Sequence, residues 1–181
     1  LVLAHNQVKN YNFSLDNLVG SDLNGKTVGI FGTGRIGSIL VGIFHAFGCN
    51  IVAHDLERNP YLENHYGVQY LPLEELCRKS DIVSINTPLN YNTHHIFNKT
   101  LLMAMKPGAI LINTARGGIV KTEDVLDALK NGKLGGYATD VYEHERGIFF
   151  KDHSKNGITD ELLKELIALP NVLLTPHQAF A

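Results

Sequence analysis

The sequence predicts an α/β fold in three layers, a parallel sheet wrapped by helices on both faces, and three observations predict it. Short apolar runs recur along the chain, helical patterns separate them, and a glycine-rich turn joins the first run to the helix after it. The runs at 27–31, 51–54, 82–85, 109–112, 136–139 and 172–174 are largely continuous rather than alternating, as strands buried on both faces are. Strands that alternate with helices are joined by crossovers, which make neighbouring strands parallel.

In chain order, residues 1–11 read as the end of a helix and 12–25 as a loop closing on the turn Asn24-Gly25. Residues 1–25 are therefore a lead-in segment and 26–181 the domain itself. After the first strand, the stretch 36–47 places Ile36, Ile39, Leu40, Ile43 and Phe47 at i, i+3, i+4, i+7 and i+11, which predicts a helix with one apolar face. Shorter helices are predicted at 73–79 and 98–105. The helix at 122–130 opens on Thr122 as its N-cap and repeats Val125, Leu126 and Leu129. From Asp160 onward, Leu162, Leu163 and Leu166 mark the face of the last helix.

With 181 residues, 44% of them hydrophobic, the chain can bury a sizeable core as one domain. A net charge of −2 and the lack of any Lys/Arg-rich run exclude a surface shaped for nucleic acid or for an acidic membrane. Cys49 and Cys77 are too few and too far apart for a disulfide framework, a metal site or a Cys-x-x-Cys redox pair, so no metal is expected and a reducing cytoplasm fits. No basic segment precedes an apolar stretch at the start and no run of about 18 apolar residues occurs, which predicts neither a signal peptide nor a membrane span. The chain lacks an initiator methionine and stops after a loop, as a piece of a longer polypeptide would.

Gly32-Thr-Gly-Arg-Ile-Gly37 follows a predicted strand and opens a predicted helix. In that setting Gly32 permits a tight turn, Gly34 lets the backbone approach a diphosphate, and Gly37 lets helix pack on strand. The helix that this turn opens has unpaired N–H groups and a dipole that favour phosphate. A bare spacing of this kind arises by chance in a chain with 17 glycines; strand, turn and helix together predict a Rossmann-type, doubly wound domain that binds a dinucleotide. Asp55 stands 18 residues beyond Gly37 at the end of the second strand, where a carboxylate accepts hydrogen bonds from ribose hydroxyls and repels a 2′-phosphate. NAD is thus favoured over NADP, with Arg58 the one neighbour that would tolerate the extra phosphate. The plainer reading of Asp55 is a turn cap.

Arg116 in Asn113-Thr-Ala-Arg-Gly-Gly118, Glu145 in Asp140-Val-Tyr-Glu-His-Glu145, and His177 in Thr175-Pro-His177 each follow an apolar strand. Each should emerge at the carboxyl edge of the sheet, where open α/β folds bind ligands. Singly they have plain readings: Arg116 as a turn residue, Glu145 as one surface charge beside Glu143 and Arg146, and His177 as one of nine histidines. Together they make a site for a carboxylated carbonyl compound. An arginine fork holds a carboxylate, a histidine moves a proton on oxygen, and a glutamate orients that histidine.

In their order and spacing, Gly-Thr-Gly-Arg-Ile-Gly, Asn-Thr-Ala-Arg-Gly-Gly, Asp-Val-Tyr-Glu-x-Glu and Thr-Pro-His resemble the D-isomer-specific 2-hydroxyacid dehydrogenases over nearly the whole chain. Gly147-Ile-Phe-Phe-Lys-Asp152 and the ending from Pro170 are most similar to the members that act on D-lactate. The resemblance implies an NAD cofactor, a small 2-oxoacid or 2-hydroxyacid substrate, Arg116 on its carboxylate, His177 as general acid/base and Glu145 as support for His177. It also implies that Thr87, Pro88, Thr114, Ala115 and Asp140 line the cofactor, Asp140 near the nicotinamide amide, with Arg35 and Ile36 reaching the diphosphate through their N–H groups. Asp140 has a plainer reading as a cap, and Tyr142, Phe149 and Phe150 read as packing aromatics. Family members have a second domain, built from residues before and after the part present here, and commonly pair as homodimers through this one. Two alternatives stand beside the D-lactate reading: a family dehydrogenase for a bulkier 2-oxoacid, and a non-catalytic NADH-sensing domain.

Overall fold

The computed structural model describes residues 2–16 and 18–179. Its centre is one seven-stranded sheet: β1 (Thr27–Phe31), β2 (Asn50–His54), β3 (Gln69–Tyr70), β4 (Ile82–Ile85), β5 (Ala109–Asn113), β6 (Leu134–Thr139) and β7 (Val172–Leu174). The order is β3-β2-β1-β4-β5-β6-β7 and every pairing is parallel. The order reverses between β1 and β4, which opens a crevice above their carboxyl ends.

Seven α-helices are described: α1 (Val2–Lys9), α2 (Arg35–Ala46), α3 (Pro60–Tyr66), α4 (Leu73–Lys79), α5 (Lys99–Ala104), α6 (Thr122–Lys130) and α7 (Glu161–Ala168). Leu76 and Cys77 of α4, Leu102 of α5, Val125 and Leu126 of α6 and Leu166 of α7 pack on one face of the sheet with Phe31, Val83, Ile85 and Leu111. Val41 of α2 and Leu62 of α3 pack on the other with Val28, Ile30, Ile51 and Ala53. That second layer covers β1–β3 and reaches Ile82 of β4 and Ile112 of β5. Ile110 of β5 is 40% exposed and Leu173 of β7 is 55% exposed, so these strands are less buried than their continuous apolar pattern predicts.

The rotation of α2 also departs from expectation. Ile36, Ile39, Ile43 and Phe47 are exposed, while Gly37 and Val41 are buried and Leu40 and Phe44 join the core beside them. The helix is apolar almost all round, and periodicity cannot choose between two apolar stripes. Close packing chooses: a Cβ on Gly37 would lie 1.9 Å from the Gly32 carbonyl oxygen, so the helix abuts β1 through that glycine. Gly37, Leu40, Val41 and Phe44, at i, i+3, i+4 and i+7, then turn inward together.

No element is predicted from the sequence for the region holding α3 and β3. The signals for α3 are nonetheless present: Asn59 Oδ1 accepts from Tyr61 N–H at 3.0 Å, Pro60 is the first helical residue, and Gly67 closes the helix at φ +66°. At two residues, β3 is too short to show a period. Thr122 proves not to be the cap of α6. It is the first helical residue, and an acceptor from another loop serves its N–H, as described below. Among the described residues no helix is long and apolar enough to cross a membrane.

Candidate functional site

Every candidate residue follows a strand at its carboxyl end: Gly32 after β1, Asp55 after β2, Thr87 and Pro88 after β4, Thr114 to Arg116 after β5, Asp140 and Glu145 after β6, and His177 after β7. In an all-parallel sheet these ends form one rim, so the fold gathers residues spread over most of the chain.

The glycine turn is built as a cradle. Gly32 takes φ +95°, and a Cβ there would stand 2.8 Å from the Asn86 carbonyl oxygen. Gly34 is different, because an added Cβ would meet nothing within 4 Å; only something approaching from outside would require a glycine at that position. Gly34 is also the N-cap of α2 and has no side chain with which to cap it. The N–H of Ser38 is bonded to Gly34 O at 2.9 Å, and those of Arg35, Ile36 and Gly37 before it have no acceptor within the helix. Three depressions run along the rim beside this turn. One, of about 410 Å³, is lined by Thr33, Gly34, Asp55 and Arg58. The next, about 330 Å³ and mostly apolar, is lined by Gly32, Asp55, Thr87, Pro88 and Ile96. The third, about 580 Å³, holds Ile36, Thr87, Pro88, Thr114, Ala115 and Arg116. Donors at the diphosphate position, a carboxylate at one end and an apolar slot fit a dinucleotide.

Asp55 is held tightly. Its Oδ2 accepts from the N–H and hydroxyl of Thr33 at 2.6 and 3.0 Å, and its Oδ1 from Leu56 N–H at 2.7 Å. Partial burial alone would raise its pKa, but these bonds and one from the Glu57 amide outweigh burial and hold the carboxyl below its ordinary value. Gly34 and Asp55 face the same depression, as one ligand bound to both requires.

At the other end of the rim, the fully buried Asn113 shapes the arginine loop. Its Nδ2 donates to Arg116 O at 3.0 Å and its Oδ1 accepts from Ala115 N–H at 3.1 Å. Arg116 is exposed, with one guanidinium nitrogen donating to Ala115 O at 2.6 Å. Gly117 follows because the chain passes against Tyr142, whose carbonyl carbon would lie 2.1 Å from a Cβ there.

Glu143 is the residue that sequence reasoning missed. Read as a surface charge, it has a side chain only 12% exposed. Its Oε2 accepts from the N–H and hydroxyl of Thr122 at 3.1 and 2.9 Å, and its Oε1 is paired with His95 Nε2. His95 in turn donates its backbone N–H to Gly118 O at 2.9 Å. Glu143 thus fastens the loops after β4, β5 and β6 together. Burial pushes its carboxyl up, but the bonds from Thr122 and His95 prevail and hold it below its ordinary value.

Glu145 and His177 form the pair that their motifs suggested. His177 Nδ1 lies 3.0 Å from Glu145 Oε1, and Glu145 Oε2 accepts from Tyr142 N–H at 3.2 Å. His177 takes φ +55°, a left-handed conformation that non-glycine residues rarely adopt. Asp140 explains how it is held there. The carboxylate, 4% exposed as a residue, accepts from the Thr175 hydroxyl and from the N–H groups of Gln178 and Ala179 at 3.0 and 2.8 Å. These bonds, with the nearby His177 charge, outweigh burial and lower its pKa. Asp140 therefore clamps the His177 segment, the capping type of role that its plainer reading gave it. Tyr142 and Phe149 are buried as packing aromatics, whereas Phe150 is 76% exposed with its ring 5.9 Å from that of His177. Among the described residues no group of three or more His, Cys, Asp or Glu side chains could hold a metal ion.

The model of the D-isomer specific 2-hydroxyacid dehydrogenase NAD binding domain matches residues 1–179. A D-lactate dehydrogenase of Curvularia clavata is 48% identical over 177 residues, which is 98% of this chain and 50% of that protein. The solved pyruvate reductase of Chlamydomonas reinhardtii superposes with a TM-score of 0.94 at 39% identity, over 99% of this chain and 54% of that one. The D-lactate dehydrogenase of Lactobacillus jensenii, solved with NAD+, gives 0.86 at 34% identity, over 99% and 54%. The chain spans about half the length of the curated relatives it matches. By the match of nearly its whole length, this chain belongs to the D-isomer specific 2-hydroxyacid dehydrogenase family, of which it is the NAD-binding domain.

Proposed function

We propose that the complete protein is a D-lactate dehydrogenase, reducing pyruvate to D-lactate with NADH. The observation that carries this reading is the His177–Glu145 pair, on the same rim as Arg116 and the dinucleotide cradle. When bound, NADH supplies the hydride that adds to the carbonyl carbon. Gly32, Gly34 and Gly37 admit the diphosphate, the N–H groups of Arg35 and Ile36 bind it, and Asp55 accepts from the adenosine ribose. Thr87, Pro88, Thr114 and Ala115 wall the cleft. Arg116 holds the substrate carboxylate through two parallel N–H donors. His177 delivers from Nε2 the proton that the new hydroxyl needs, while Glu145 holds Nδ1 and so keeps the ring aimed.

Residues 26–181 are in this reading the cofactor half, and 1–25 lead in from a substrate domain. The exposed Ile39, Ile43 and Phe47 of α2 suit a homodimer contact, and two unpaired, buried cysteines suit the cytoplasm. A substrate panel on the full-length protein tests the assignment. Fastest NADH oxidation with pyruvate supports it; faster turnover of a branched or aromatic 2-oxoacid assigns a bulkier substrate, and NADH binding without turnover assigns a sensor.

A further inference from the structure

Beneath Asp55 lies a chain of hydrogen bonds that passes through the short edge strand β3. β3 is two residues long, with Gln69 exposed and Tyr70 buried. Tyr70 pairs with Ala53 of β2, two residues before Asp55. Asn59 N–H donates to the Tyr70 phenolic oxygen at 3.1 Å, Tyr70 O–H donates to Thr33 Oγ1 at 2.9 Å, and Thr33 O–H donates to Asp55 Oδ2 at 3.0 Å.

The direction of this chain is fixed by its ends. A backbone N–H can only donate and an ionised carboxylate can only accept, so both hydroxyl protons between them must point toward Asp55. Tyr70 and Thr33 are 9% and 6% exposed, so bulk solvent competes little for them. On the far side, Asp55 shares an open depression with Arg58. Arg58 is loosely held: its side chain is 69% exposed and its one ion pair among the described residues, to Glu63, is 3.9 Å long. Two groups of opposite sign thus face one mouth, one locked and the other free to move. A ribose diol needs the acceptor, and a 2′-phosphate needs the cation with the acceptor out of the way.

We infer that Tyr70 and Thr33 are positioning residues whose hydroxyls lock the Asp55 carboxylate at the ribose and so set the preference for NADH over NADPH. The inference rests on the reading of Asp55 as the ribose acceptor. Tyr70 touches no cofactor in this scheme and acts through Thr33 and Asp55 alone.

Calorimetric titration of the full-length protein with NADH and with NADPH tests it, with the ratio of the two Kd values as the readout. Loss of fold stability alone weakens both cofactors together and leaves the ratio unchanged. Tyr70→Phe and Thr33→Val should each lower the wild-type preference roughly five- to tenfold, the effect of losing one hydrogen bond to a charged group. Thr33→Ser, which keeps the hydroxyl, should retain the preference to within about twofold. Wild-type protein that binds NADPH as tightly as NADH overturns the reading of Asp55 itself. Wild-type preference with an unchanged ratio in Tyr70→Phe, or in Thr33→Val should the first variant not fold, overturns the relay alone.

Discussion

Glu145 and His177 meet across 32 residues of sequence, the glutamate on the loop after β6 and the histidine beyond β7, with Nδ1 and Oε1 3.0 Å apart. The carboxylate engages Nδ1 and so leaves Nε2 as the ring nitrogen available for proton transfer in the proposed reaction. In the full-length protein His177→Gln should lower kcat for the proposed reaction by about 10²–10⁴, the worth of a positioned acid/base, while the Kd for NADH stays within about twofold. Stopped-flow turnover and fluorescence titration separate the two; unchanged kcat would remove His177 from the chemistry.

Arg116→Lys should act on the substrate and not on the cofactor. An ammonium cannot reproduce a planar two-donor fork, so KM for pyruvate should rise at least about tenfold. If the apparent affinity for pyruvate survives the change, the carboxylate is held elsewhere.

Gly37 and Gly34 of the turn should respond differently to a methyl group. Gly37→Ala places a Cβ 1.9 Å from a backbone carbonyl that cannot yield, and should cost about 3 kcal/mol of stability together with NADH binding. Gly34→Ala has open space and should change stability by less than about 1 kcal/mol, yet still weaken NADH. Denaturant midpoints and NADH titrations of both variants check this, and normal NADH affinity in Gly34→Ala argues against a diphosphate at that spot.

Removing the Glu143 carboxylate strands Thr122 and His95 at once. Glu143→Ala should destabilise the protein by about 2–3 kcal/mol, the scale of lost charge-assisted hydrogen bonds, and Glu143→Gln by less. Urea unfolding measures both. A neutral Glu143→Ala would mean that the three loops are fastened by other contacts.

Asp55, Asp140 and Glu143 are all held below ordinary carboxyl values. Such a group binds its proton more readily in the unfolded chain, so it contributes stability above the unfolded pKa and loses it as pH falls through the folded one. The urea midpoint should therefore be level near neutrality and decline below about pH 4.5. Asp140→Asn and Glu143→Gln should each make that decline shallower, and parallel declines in variant and wild type would exclude the two carboxylates as its source.

Much of the molecule was legible because its signals are local. Continuous apolar runs gave six of the seven strands to within two residues at either end, and the motifs around Gly32, Arg116 and His177 each sit where a strand ends. What sequence alone left hidden depends on partners distant along the chain. Glu143 looks solvated until Thr122 and His95 arrive beside it from other loops. Thr122 has the composition of a cap, but a carboxylate 21 residues away takes up its N–H. The inward stripe of α2 follows from a glycine contact with β1 that periodicity does not encode.

Since every group assigned a role in the proposed function stands on one rim of an all-parallel sheet, that reading gives the opposite rim no part in the chemistry. There Asp81 holds the start of β1 through Thr27 N–H and pairs with Lys106 at 2.9 Å. Engineering for heat tolerance can therefore begin at that underside, where substitutions should leave the proposed reacting groups undisturbed. Changes of substrate taste belong to the loops above, and the two kinds of alteration should combine with little interference.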